Sequence, residues 1–196
     1  MEARQRRKAA WRMAGAAMAA AAFAALAVPA AAQEVFGDDG YRIARYRAPI
    51  DRDPRPAARL ALPAARLLVP GRDALFIDVL PAMGGVRDAK TGQWRLGEDH
   101  LTIPGAVWHP EAGRGDPDPA LWQALVAEVA RARRNRPRLP VILFCRTDCW
   151  MGWNAARRLA REGHDNVWWL AEGIEGWRRF EELVVAEPVL VRGHPE

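Results

Sequence analysis

Cys145 and Cys149 are the two cysteines of the sequence, and both lie in the stretch VILFCRTDCWMGWNAA, residues 141–156. A thiolate can act as a nucleophile, exchange with a second sulfur, or bind a soft metal. Three uses of the pair follow. Cys145 could attack a sulfur substrate while Cys149 resolves the adduct. The two could form a structural bridge, although a loop closed over so few residues constrains the unfolded chain weakly. With Met151 as a third sulfur, they could also hold Cu(I). The rest of the loop, Arg146, Thr147, Asp148, Trp150, Met151, Gly152 and Trp153, supplies the candidate substrate-binding residues. Trp150 and Trp153 either make an apolar mouth able to stack on a flat ligand or pack into the core. His100, His109, His164 and His194 are scattered, with none inside the loop.

The elements that position these sulfurs can be read from pattern. Val141, Ile142, Leu143 and Phe144 form an uninterrupted apolar run, as in a strand buried on both faces. From Trp153 the apolar residues Ala156, Leu159 and Ala160 fall at helical spacing, and Gly163 supplies a stop. The cysteines thus sit on a strand-to-helix loop, where the N–H groups of a helix N-terminus favour anions. Further strands are predicted at 59–61, 74–79, 106–108 and 167–170, with a short helix at 63–69. Asp118 can cap a helix opening on Pro119. That helix carries Trp122, Leu125, Val126 and Val129 on one face and ends in an arginine-rich turn, read as a solvated helix end. The glycine-bearing loop 81–100 is long enough to be functional or partner-facing. Alternating strands and helices predict an α/β domain with a mostly parallel central sheet and helices on both faces.

The chain opens with Arg4, Arg6, Arg7, Lys8 and Arg12, continues through an alanine-dominated apolar run, and reaches Ala30-Ala31-Ala32. This pattern predicts a signal peptide over 1–32, cleaved near Ala32, with a retained membrane anchor as the alternative. Cleavage would leave a periplasmic protein with no membrane segment. The formal net charge of +5 belongs largely to that segment, since the remaining 164 residues carry about +1. Charge therefore gives no case for nucleic-acid binding. Residues 33–58, rich in arginine and proline, read as an extended arm whose Tyr41 and Tyr46 favour packing over disorder. The domain proper is expected over 59–184, and 185–196 reads as a C-terminal tail.

In order along the chain, FIDV (76–79), IPGAVW (103–108), the strand ending in Cys145-Arg146, NAARRLAREG (154–163) and EGIEGW (172–177) resemble a rhodanese-like domain. GYRIARYRAP (40–49), IPGAVWHP (103–110) and FCRTDCWMGWNAA (144–156) further resemble exported proteins with a CXXCW motif, associated with pyrroloquinoline-quinone (PQQ)-dependent alcohol catabolism. The resemblance implies a persulfide-forming Cys145 and a rhodanese-like single domain with no bound cofactor. It also implies a thiol or sulfur-donor molecule or protein as partner, and a periplasmic quinoprotein dehydrogenase as a second one. A binding module without catalysis, docking on that dehydrogenase or delivering a cofactor, is the alternative. Where such loops carry a second basic residue, this chain has Trp150, so thiosulfate is expected to bind poorly. Met151 stands where related phosphatases have arginine, which argues against phosphatase chemistry.

Overall fold

The computed structural model describes residues 34–192; the signal-peptide expectation lies outside them. Strands β1 (Ala58–Leu60), β2 (Leu75–Asp78), β6 (Val107–Trp108), β7 (Val141–Phe144) and β8 (Val167–Leu170) form one sheet in the order β1-β8-β7-β2-β6. Every pairing in it is parallel. Helices α1 (Leu62–Ala65), α2 (Pro119–Arg133), α3 (Trp150–Arg161) and α4 (Gly173–Trp177) cover its two faces. The expected α/β architecture is therefore present, and the main sheet is wholly parallel.

The side-chain period of two divides the core. Leu75, Ile77, Val141, Leu143, Val167 and Trp169 point to one face, where α2 and α3 bury Trp122, Leu125, Val129, Trp153 and Leu159. Phe76, Ile142, Phe144 and Leu170 point to the other, against Leu62 and Ala65 of α1 and Trp177 of α4. Asp118 accepts a hydrogen bond from Ala120 N at 2.8 Å ahead of Pro119, as the capping pattern predicts.

Three local features were not readable as pattern. Loop 81–100 holds a small antiparallel pair, β3 (Val86–Arg87) with β4 (Trp94–Arg95). Its end, β5 (His100–Thr102), pairs antiparallel with β9 (Val184–Ala186). The segment from 185, expected as a tail, is consequently tied to the fold: Val189 N donates to Trp108 O and Val191 N to Gly92 O. Residues 34–57 are also held by defined bonds. Asn154, fully buried on α3, accepts from Arg42 N and donates to Arg42 O and Gly113 O. Trp153 Nε1 donates to Arg52 O at 2.9 Å. Among the described residues, no helix is long and apolar enough to cross a membrane.

His109, directly after β6, is buried, and neither ring nitrogen has a partner among the described residues. Burial, with Arg131 adding to it, pushes its pKa down from 6.5 to about 4. The unfolded chain takes up this proton near its ordinary value and the folded chain only near the lowered one. Stability should therefore fall as pH drops between the two, by roughly 3 kcal/mol. Urea unfolding at neutral and acidic pH is expected to show a smaller loss in His109→Gln than in the parent. Equal losses would contradict this assignment.

Candidate functional site

Cys145 immediately follows β7, and Cys149 is the N-cap of α3. The two are joined by a disulfide across the turn, with Cα atoms 6.0 Å apart. Asp148 takes a left-handed conformation (φ 55°), which brings the chain back so that the second sulfur meets the first. Gly152 lets the first turn of α3 lie against the backbone of Phe144 and Cys145; a Cβ there would sit 3.1 Å from Phe144 C.

The loop is clamped from two sides. On one, Ile174 N donates to Cys145 O at 2.9 Å, Arg146 bridges to Gly173, and Thr147 Oγ1 donates to Glu172 O at 2.8 Å. The EGIEGW segment thus acts as a backbone brace for the cysteine turn. On the other, Ala48 N donates to Asp148 O and Trp150 N to Tyr46 O, both at 2.9 Å, and Arg47 pairs with Cys149. The N-terminal segment is therefore part of the site's wall.

Not all the predicted loop residues face a ligand. The helix starts at Trp150, earlier than its apolar spacing suggested, so Trp150, Met151, Gly152 and Trp153 form its first turn. Trp150 and Trp153 are 1% and 2% exposed and pack edge-on to each other at 5.2 Å, with Phe36 edge-on to Trp150 at 5.1 Å. Of the two alternatives for these tryptophans, the structure shows core packing: Phe36 of the arm covers Trp150, and both rings are buried. Thr147 holds the brace and Asp148 the turn, whereas Cys145, Arg146, Cys149 and Met151 line a cavity of about 220 Å³.

The remaining walls of that cavity come from distant sequence. Tyr46 and Arg47 enter from the arm, Leu80, Pro81 and Met83 from beyond β2, and Arg114 from the loop before α2. Arg146 makes no side-chain hydrogen bond or ion pair to a described residue. Arg47 makes an exposed 3.3 Å ion pair with Glu175, and Arg114 pairs with Glu111. Exposed pairs of this kind contribute little, so all three cations remain able to meet an anion. The expectation of poor anion binding counted Arg146 alone. Arg47 and Arg114 escaped it because nothing in their spacing ties them to Cys145.

A second group beside the cysteines also went unread. Asp78, at the end of β2, is fully buried and accepts from Leu80 N, Thr102 Oγ1 and His100 at 2.9, 2.7 and 2.8 Å. His100 stacks on Trp108, with ring centroids 4.0 Å apart. Trp108 Nε1 in turn donates to Leu80 O at 2.7 Å. Leu80 is thereby fixed through both its amide and its carbonyl, which gives the cysteine cavity a rigid edge.

The cysteine pair thus lies at the turn from the central strand of a parallel α/β sheet into a helix, braced by the glycine-led α4. Comparison with known families matches residues 85–180 to the rhodanese-like domain, and the chain carries a rhodanese-like domain there. The match spans the cysteine loop and its brace, while β1 and β2 extend the same sheet outside it. No curated protein matches the chain.

Proposed function

We propose that the protein carries out sulfur transfer and thiol–disulfide exchange at Cys145, with Cys149 as the resolving thiol. The observation that carries this reading is the Cys145–Cys149 bridge placed in a cavity lined by three arginines. In the reduced protein, the Cys145 thiolate attacks the outer sulfur of a thiosulfonate-type donor. A persulfide forms on Cys145 and the sulfinate or sulfite leaves with the bonding pair. Cys149 thiolate then attacks Cys145 Sγ, re-forms the bridge and releases the carried sulfur as hydrosulfide. With a disulfide substrate, the same two steps release two thiols. In the reverse direction Cys149 is the leaving group, and its place at the N-cap of α3 stabilises the departing thiolate.

Several features support this assignment. The rhodanese-like domain match fits a sulfur-transferring or sulfur-binding role. The arginines compensate the charge of the donor and of the leaving group. Arg47→Gln with Arg114→Gln is expected to slow bridge opening by an anionic thiol such as 2-mercaptoethanesulfonate about fivefold, while 2-mercaptoethanol is little affected. Equal slowing of both thiols would remove the arginines from the account.

The finer reading places this chemistry in the periplasm, in the service of PQQ-dependent alcohol catabolism, with a quinoprotein dehydrogenase as partner. It rests on the CXXCW-type resemblance and the signal-like pattern of residues 1–32. The near-complete burial of Cys145 favours a second reading, a docking module without catalysis. Sulfane-sulfur transfer from a thiosulfonate to a small thiol, measured on purified protein and on Cys145→Ser, separates the two. Transfer lost with Cys145 supports the enzyme, and absence of transfer in the parent supports the module.

A further inference from the structure

A second cavity, of about 270 Å³, adjoins the cysteine cavity; the two share Leu80, Pro81, Met83 and Arg146 as common walls. Their linings differ in charge, since the cysteine side holds no carboxylate. The cysteine side offers guanidinium donors from Arg47, Arg114 and Arg146. The second side offers acceptors: the carboxylates of Glu98 and Asp99, which enter no ion pair among the described residues, and that of Glu175. Arg178 and the shared Arg146 border it as well, and Glu175 is the partner of Arg47, so Glu98 and Asp99 are the carboxylates left to a ligand.

His100 lines the same cavity, and its side chain is 9% exposed. Its Nε2 is held by Asp78 in a 2.8 Å contact, on a side chain that also accepts from Leu80 N and Thr102 Oγ1. The other ring nitrogen, Nδ1, has no hydrogen bond to a described residue. A cavity edged by the unpaired carboxylates of Glu98 and Asp99 suits an ammonium group. Guanidinium groups beside a disulfide suit a carboxylate attached to a thiol.

We propose that the two cavities together bind a zwitterionic aminothiol, an amino acid or short peptide of the cysteine type. Its ammonium lies at Glu98, Asp99 and His100, its carboxylate meets the arginines, and its sulfur faces the bridge. The proposal rests on the exchange reading above and names its small-molecule thiol. The bound thiolate attacks Cys145 Sγ, forming a mixed disulfide as the Cys145–Cys149 bond breaks. The bonding pair leaves on Cys149, which takes a proton from solvent. A second aminothiol attacks the mixed disulfide, so two thiols are oxidised to one disulfide while the protein gains two electrons and two protons.

The test is the rate of bridge opening in the folded protein by cysteine, N-acetylcysteine, cysteamine and 2-mercaptoethanol, each normalised to its thiolate concentration. Cysteine is expected to exceed N-acetylcysteine, which lacks the ammonium, and cysteamine, which lacks the carboxylate, by about tenfold each. Glu98→Gln with Asp99→Asn should bring the cysteine rate down to that of N-acetylcysteine. S-Methylcysteine, the same zwitterion without a free thiol, should compete with 2-mercaptoethanol for the site. Equal normalised rates, with no competition by S-methylcysteine, would overturn the aminothiol assignment and leave the exchange reading standing. A bridge that none of the four thiols opens would overturn both.

Discussion

Cys145→Ser is expected to lower sulfur transfer and disulfide exchange about a thousandfold, to the level of the uncatalysed thiol reaction. Cys149→Ser is expected to behave differently. Its Cys145 still takes a sulfur or a thiol from the first substrate, but no neighbouring thiolate releases it. With no acceptor thiol added, the covalent adduct therefore accumulates to one per chain and the reaction stops after the first half-reaction. The asymmetry follows from position: Cys145 directly follows β7 and is held by the brace of α4, while Cys149 sits at the N-cap position of α3 and belongs to the leaving side. Intact mass after a single addition of substrate reads both variants. An adduct on Cys145→Ser of the same size and rate as on Cys149→Ser would invert the roles. Turnover retained in Cys145→Ser would remove the chemistry from this pair.

Gly173→Ala is expected to cost about 3 kcal/mol of stability and to disturb the cysteine turn. Gly173 has φ +54°, and a Cβ there would overlap the carbonyl oxygen of Cys145. That oxygen accepts from Ile174 N, and Gly173 pairs with Arg146, so the backbone cannot yield without releasing the loop. Gly163→Ala provides the comparison. Its φ is +92°, but nothing lies within 4 Å of the added carbon, so only the conformational cost of about 1 kcal/mol applies. Urea unfolding of the bridged proteins should separate the two, with faster bridge reduction in Gly173→Ala alone. Equal destabilisation would mean that the brace does not hold the turn.

The parts of this molecule visible in its sequence are those with strong local causes. VILF reads as a doubly buried strand because four consecutive apolar side chains need partners on both faces, and all four are buried. Asp118-Pro119 reads as a helix start because its cap and its first turn are adjacent residues. The strand-to-helix setting of the two cysteines was equally local. Pairings made at long range were not visible. β5 and β9 are each three residues long, too short for a period to show, and each is a strand only because the other lies beside it.

The site shows the same division. Cys145, Arg146 and Cys149 come from one loop, but Arg47 comes from the arm, and Arg114 from a turn that reaches the cavity only once α3 is packed. The tryptophans of the loop were ambiguous because the same side chain serves a mouth or a core. Phe36, far away in sequence, decided for the core. His100 looked like one of four scattered histidines until β5 carried it to within 2.8 Å of Asp78.

The most direct test is a redox titration of the folded protein in buffers of defined thiol-to-disulfide ratio, followed by acid quenching, alkylation and intact mass measurement. Reversible interconversion of a bridged form and a doubly alkylated form is expected, with both sulfurs changing together while the protein stays folded. A bridge that remains closed until the protein unfolds would contradict it and leave Cys145–Cys149 as a structural link.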